Sequence, residues 1–91
     1  MTILHREDKN EGVFYIEENR ETLAEMVYKK ENGKMIIQHT EVDKSLRGKN
    51  IGFQLVERGV IYAREAHLKI LPLCTFAKKA IERNKQFADV L

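Results

Sequence analysis

The residues best suited to chemistry lie in one short segment, residues 45–52, which reads Ser-Leu-Arg-Gly-Lys-Asn-Ile-Gly. It follows a predicted strand and opens a predicted helix. The first main-chain N–H groups of a helix have no partners within it, so with the helix dipole they form an anion site. Gly48 permits unusual backbone angles, and Arg47 and Lys49 add positive charge. A phosphate site fits the segment, as does a plain helix start with solubilising basic residues.

Three further side chains could move a proton or an acyl group. Glu41 follows His39 at strand spacing, so both leave one face of the sheet and either could accept a proton. Cys74 follows a predicted strand and precedes a predicted helix, whose dipole lowers the pKa of a thiol. Its thiolate could carry an acyl group. A solvated carboxylate, a histidine packed beside the helix and a small buried thiol are the alternatives.

Composition and charge exclude several classes of protein. The chain has 91 residues, 43% of them apolar and 33% charged, which is typical of one globular domain over residues 1–91. Sixteen basic and fourteen acidic residues are interspersed, so no long-range field attracts nucleic acid or an anionic membrane. The single cysteine excludes an internal disulfide and a cysteine-cluster zinc site.

The same composition predicts a cytoplasmic location and no metal site. One cysteine suits a reducing compartment, no signal peptide is evident, and no apolar run reaches the roughly 18 residues of a membrane span. His5 and His67 are isolated, and no pair of histidines has metal-ligand spacing along the chain.

The first half of the chain predicts strands. Residues 13–16 and 35–42 are rich in β-branched and aromatic side chains. Residues 22–30 also fit a helical stripe, but the Asn32-Gly33 pair that follows them is the favoured two-residue hairpin turn. We therefore interpret this region as strand, turn and strand.

In the second half of the chain, the apolar residues recur at helical spacing rather than at strand spacing. Residues 49–66 are predicted to form one amphipathic helix with a broad apolar face. Only Ile61 lies on the opposite, polar side. A short strand over residues 68–73 and a last helix over residues 76–84 follow, with Thr75 as its cap and Phe76 facing inward. A strand, a helix and a strand make a right-handed crossover with parallel strands. The prediction is an α+β sheet of four or five strands, antiparallel first and parallel at the crossover.

The run Arg47-x-x-Asn50-x-Gly52 resembles the acyl-coenzyme A signature of the GNAT superfamily of N-acetyltransferases, Gln/Arg-x-x-Gly-x-Gly/Ala. With His39 to Val42 before it and Pro72-Leu73-Cys74 after it, the chain is similar to the very short YjdJ-type branch from about residue 13 to the end. Asn50 stands where the signature usually has glycine. Asparagine tolerates the left-handed backbone region better than most residues do.

The resemblance implies acetyl-coenzyme A as cosubstrate and an amine as acceptor. Its pantetheine arm would enter between two splayed strands. The main chain of Thr40, Glu41 and Val42 would line the arm, and the amides of residues 47–52 would hold the diphosphate. The implied binding residues are Thr40, Val42, Arg47, Gly48, Lys49, Asn50, Ile51 and Gly52. For acetyl transfer, Cys74, Glu41 and His39 are the catalytic candidates, and some basic residues near the C-terminus could meet the 3′-phosphate of the cofactor.

Full-size members of the superfamily wall the acceptor site with extra N-terminal helices, which residues 1–12 are too few to supply. The resemblance therefore implies an open acceptor cleft and an acceptor of unknown identity, such as a protein amine. A non-catalytic coenzyme A sensor or interaction module is an alternative. A small nucleic-acid binder is another, but the near-neutral charge and the lack of a basic stripe with interleaved aromatics disfavour it.

Overall fold

A five-stranded mixed sheet with its helices on one face organises the computed structural model, which describes all 91 residues. The sheet order is β1-β2-β3-β4-β5, with the first three pairs antiparallel and the β4–β5 pair parallel. This confirms the predicted α+β architecture. The elements are β1 (Leu4–Glu7), β2 (Glu11–Glu18), β3 (Glu21–Glu31), β4 (Lys34–Val42), α1 (Ile51–Glu65), β5 (Lys69–Pro72) and α2 (Thr75–Glu82), with 3₁₀ turns at Lys44–Leu46 and Lys85–Val90.

The turn between β3 and β4 has the geometry that its sequence favours. Asn32 and Gly33 have φ angles of 52° and 75°, and both central residues of a type I′ turn require positive φ. The flanking strands pair from Glu31 with Lys34 onward. The interpretation of residues 22–30 as a strand rather than a helix is therefore confirmed.

One residue of β4 is inserted into an otherwise regular ladder. Tyr28 of β3 pairs with Ile37, but its neighbour Val27 pairs with His39, so Gln38 has no partner residue. This is a β-bulge, which adds a residue to one strand and changes the direction of the side chains that follow it.

The bulge inverts the alternation of side chains along β4. Before it, Ile37 is fully buried beneath α1. After it, Thr40 lies opposite the fully buried Met26, so Thr40 takes the helix side of the sheet. His39 and Glu41 then point to the opposite face, called the open face below because the helices pack on the other side.

The core lies between the sheet and α1, as the apolar face of the helix predicts. Leu55, Val56, Val60 and Ala63 are fully buried, whereas Ile61 is 42% exposed, as its misplaced position implied. Each buried Leu or Val of this kind stabilises the fold by about 1.5–3 kcal/mol. Neither helix combines the length and the hydrophobicity that crossing a membrane requires.

The last helix differs from its prediction. It begins at Thr75, and Cys74 rather than Thr75 is the cap residue. Phe76 is 46% exposed, which overturns its predicted inward orientation; Ala77 and Ile81 are the buried residues. Neighbouring residues on a helix point about 100° apart, so with Ala77 and Ile81 directed into the core, Phe76 lies at the side of the helix, next to Gly52 of α1.

The N-terminal strand β1 was not predicted, and a polar cluster attaches it to the rest of the fold. Glu7 accepts hydrogen bonds from the hydroxyls of Tyr62 (2.6 Å) and Tyr28 (2.9 Å). The Tyr62 hydrogen bond, with those of Tyr28 and Lys30, holds the pKa of the Glu7 carboxyl below its ordinary value despite partial burial. His5 contacts the Tyr28 hydroxyl at 2.6 Å and belongs to the same structural cluster.

Candidate functional site

Strands β4 and β5 part beyond a short parallel ladder. Their pairing runs from Lys34 with Lys69 to Ile37 with Pro72, where β5 ends, while β4 continues to Val42. The next two amides, of Leu73 and Cys74, both donate to the carbonyl of Ile37, at 3.0 and 3.1 Å. The chain then turns into α2, which leaves an opening along the last residues of β4. We call it the β4–β5 gap.

A cavity of about 350 Å³ continues from this gap to the start of α1. Among the predicted binding residues, only Lys49 lies outside its lining. The lining residues come from β4, from the loop before α1, from the first turn of α1 and from α2: Thr40, Val42, Leu46, Arg47, Gly48, Asn50, Ile51, Gly52, Phe53 and Phe76. The lining therefore consists of backbone, apolar side chains and one cation, Arg47. Such a surface suits a long ligand that has an anionic group in its middle and an apolar arm.

The loop before α1 has the backbone that an anion site needs. Gly48 and Asn50 have φ angles of 82° and 60°, both in the left-handed region. Asn50 is the cap residue, and its side chain makes no hydrogen bond to the first turn, so no side chain competes for those amides. Asparagine therefore keeps the left-handed conformation that glycine usually supplies. Helix α1 begins at Ile51, two residues later than predicted.

Gly52 sets the depth of the cavity by its lack of a side chain. A Cβ atom built on Gly52 would lie 2.7 Å from the ring of Phe76, closer than any real contact. The glycine thus lets α1 approach α2 and leaves the Phe76 ring on the cavity wall.

Cys74 lies on the helix side of β4, half-buried, with Thr40 beside it. Burial raises the pKa of the Cys74 thiol, but hydrogen bonds from the Thr40 hydroxyl and from the amides of Ala77 and Phe76 outweigh it and lower the pKa overall. The Thr40 hydroxyl is buried and has no other hydrogen-bond partner, so it is available to a thiolate at Cys74.

His39 and Glu41 lie on the open face, with the Nε2 atom of His39 3.0 Å from an Oε2 oxygen of Glu41. Both side chains are exposed, at 52% and 71%. The structure therefore brings these two predicted residues together but separates them from Cys74 by the thickness of β4. The alternative that His39 packs beside the helix is excluded by its position.

A second, basic groove adjoins the cavity. It has a volume of about 280 Å³ and shares Asn50, Phe53 and Phe76 with the cavity. Lys79 and Arg83 line it, whereas Lys78 and Lys85 do not. Of the C-terminal basic residues, these two are placed to meet a phosphate at the end of a ligand that occupies the cavity.

Comparison with known proteins shows that the domain belongs to the acetyltransferase class. The model for GCN5-related N-acetyltransferases matches residues 13–90. A GCN5-like protein from Staphylococcus aureus, described as a candidate N-acetyltransferase, is 35% identical, with 96% of this chain and 85% of that one covered and a TM-score of 0.75. The chain belongs to the GCN5-related N-acetyltransferase family, and acetyl transfer is its general class of chemistry.

Two more distant structures share the fold. A streptothricin acetyltransferase candidate from Bacillus anthracis, solved with acetyl coenzyme A, is 22% identical over 80% of this chain and 48% of that one, with a TM-score of 0.63. The ribosomal-protein-S18-alanine N-acetyltransferase of Escherichia coli is 12% identical over 85% and 53%, with a TM-score of 0.68. This chain thus spans about half of each. No curated protein matches the chain.

Proposed function

We propose that the protein binds acetyl-coenzyme A in the β4–β5 gap and transfers its acetyl group to an amine. The observation that carries the proposal is the continuity of one cavity from the unpaired edge of β4 to the uncapped start of α1. The backbone of residues 40–42 would hold the pantetheine arm. The amides of residues 47–52, with Arg47, would hold the diphosphate, because unpartnered helix amides and positive charge favour phosphate.

The His39–Glu41 pair is the proposed proton acceptor. An amine must be neutral to attack a thioester, and either a carboxylate or an imidazole can take its proton directly or through water. Both side chains leave β4 beside the gap in which the thioester would lie. Because they are exposed on the open face, the acceptor would approach from that side.

The open face also bears on the kind of acceptor. Val13, Tyr15 and Val27 lie there half-buried, without a helix over them. A cleft without walls selects weakly among small molecules, so we propose a macromolecular or loosely chosen amine, such as one on a protein. A reducing cytoplasm is the proposed location, for which the free thiol of Cys74 is the supporting feature.

Cys74 offers a covalent variant of the same reaction. Its thiolate would attack the thioester carbonyl, form a new thioester and release coenzyme A as thiolate, and the amine would then displace Cys74 and return the thiolate. The lowered pKa of Cys74 favours this variant. In the direct variant, Cys74 only lies near the acetyl group.

Binding tests the proposal first. A ligand that binds the folded chain alone stabilises it by about 2.7 kcal/mol at a concentration of one hundred times Kd, so acetyl-coenzyme A should raise the melting temperature. Arg47→Glu should weaken the affinity by more than about 1 kcal/mol, the scale of a lost charge-assisted hydrogen bond. The exposed Arg20, in the turn between β2 and β3, gives the matched control Arg20→Glu. Equal affinities of the two variants would contradict the site.

A coenzyme A sensor without turnover is the second candidate, and the unwalled open face is the feature that favours it. The two candidates differ in one measurement. Release of free thiol in the presence of a broad panel of amines and amine-bearing proteins supports the enzyme. Tight binding without any thiol release, with Cys74 intact, supports the sensor.

A further inference from the structure

The open face carries a second arrangement of side chains that no spacing along the chain reveals. Glu25 of β3 and the His39–Glu41 pair of β4 bring one imidazole nitrogen and two carboxylate oxygens within 4.8 Å of one another. We call these three residues the triad. In the ladder, Glu25 pairs directly with Glu41, and Val27 pairs with His39, so the register places Glu25 opposite Glu41 and diagonal to His39.

The triad lies on regular secondary structure. All three residues belong to two neighbouring antiparallel strands, β3 and β4, rather than to loops. Sites built on strands hold their donor atoms more precisely than sites built on loops. Only side-chain rotations are then needed to bring the three donors onto one ion.

The distances suit a small divalent ion. Zinc binds imidazole nitrogen and carboxylate oxygen at about 2.0–2.2 Å, so two ligands of a tetrahedral zinc ion lie roughly 3.4 Å apart. The His39 Nε2 and Glu41 Oε2 atoms are already 3.0 Å apart, and the Glu25 carboxylate completes a group no wider than 4.8 Å. Three protein ligands would leave a fourth position open to solvent.

The donor types narrow the choice of ion. Imidazole suits zinc, copper, nickel and iron, whereas calcium and magnesium prefer sites made of oxygen alone. The only ion pair that either carboxylate makes is the one between Glu41 and His39, so no lysine or arginine neutralises them. We propose that the triad binds a divalent transition-metal ion of the zinc class.

Metal binding would compete with the proposed proton acceptor, because an ion uses the same lone pairs of His39 and Glu41 that would receive the proton. Zinc is then expected to inhibit acetyl transfer. This consequence rests on the proposed function, but the binding itself does not.

The experiment uses the untagged full chain without acetyl-coenzyme A, so its result is independent of catalysis. Zn²⁺ is titrated by calorimetry, and Co²⁺ is titrated by the visible absorption that a nitrogen- and oxygen-ligated ion shows. His39→Ala and Glu25→Gln should each weaken the affinity at least about tenfold, the lower end of what loss of even an outer partner costs. His67→Ala, which removes an exposed histidine elsewhere, should leave the affinity unchanged.

Two results would overturn the proposal. One is an equal affinity of the wild type and both triad variants, which would place the ion elsewhere. The other is equal competition by Mg²⁺, which would mean that the acidic surface attracts any divalent cation. Glu25→Gln keeps the shape of the side chain, so it tests the site even if His39→Ala fails to fold.

Discussion

Residues 38–42 of β4 have different environments on the two faces of the sheet. On the helix side, Thr40 and Cys74 lie half-buried beside each other, and hydrogen bonds lower the pKa of the Cys74 thiol. On the open side, His39 and Glu41 form an exposed pair 3.0 Å apart. An exposed pair of this kind stabilises a fold by only about 0–1 kcal/mol. The comparison teaches that a bulge in one strand can direct a candidate proton acceptor to one side of the gap and a hydroxyl toward the candidate acyl acceptor on the other side.

The bulge at Gln38 is the cause of this division. Without it, His39 and Glu41 would continue the alternation of Met35 and Ile37 and would face α1. A carboxylate there would be buried against apolar side chains at a cost of several kcal/mol. The bulge avoids that cost and turns Thr40 toward Cys74.

The largest expected effect concerns the helix side. On the covalent route, wild-type protein mixed with acetyl-coenzyme A should gain one labile acetyl adduct, because a thioester on Cys74 persists until an amine arrives. Cys74→Ala should lose the adduct completely, as mass spectrometry of the intact chain would show. An adduct that survives the substitution lies elsewhere. Turnover by wild type and variant at equal rates would assign catalysis to the open side alone.

The next effect concerns the open side. Glu41→Gln should lower the rate of thiol release by about 10²–10⁴-fold, the range that general base catalysis supplies, and should change the pH–rate profile. Affinity for acetyl-coenzyme A should not change. Glu57→Gln, an exposed carboxylate on α1, is the matched control. If Glu41→Gln changes neither the rate nor the pH–rate profile, Glu41 is not the general base.

A smaller effect should follow from Thr40→Val, which keeps the shape of the side chain but removes the hydroxyl. The hydroxyl favours the thiolate, so its loss should raise the pKa of Cys74 and move the midpoint of alkylation to higher pH. Ultraviolet absorbance of the thiolate measures the same titration. Thr22→Val on β3 is the control, and a midpoint that does not move would show that backbone amides alone lower the pKa of Cys74.

The lowered pKa of Cys74 also makes the free energy of folding depend on pH. An acid whose folded pKa is depressed contributes stability that is present above its unfolded pKa and is lost as the pH falls through the folded pKa. Wild type should therefore gain more folding free energy than Thr40→Val as the pH rises through the titration of Cys74. Chemical denaturation of both proteins across that range measures the difference.

The smallest effect is expected at the basic groove, remote from both faces. Lys79→Gln and Arg83→Gln should each weaken binding of coenzyme A by about 0.2–1 kcal/mol, because exposed charges are screened by water and salt. Dephospho-coenzyme A, which lacks the 3′-phosphate, should bind wild type and variants alike. Lys78→Gln, which removes a neighbouring charge outside the groove, should have no effect. Equal losses of affinity for coenzyme A and dephospho-coenzyme A would show that the 3′-phosphate does not bind in this groove.

Local signals accounted for much of the fold. The Asn32-Gly33 turn, the apolar face of α1 and the crossover to β5 are each specified by residues close together in the chain. The loop before α1 is local as well, and there the sequence indicated both the residues and the left-handed angle of Asn50. Strand β1 carried no such signal, because its polar attachment through Glu7 to Tyr28 and Tyr62 joins residues far apart in the chain.

What the amino-acid sequence determined by itself was therefore the identity of most elements and the position of the loop before α1, since periodicity, turns and caps act over a few residues. Which residues meet was decided by the tertiary structure. The bulge at Gln38, the separation of Cys74 from Glu41 and the approach of Glu25 all depend on how β4 aligns with β3. That register is a property of two strands, and a shift of one residue turns every side chain to the other face.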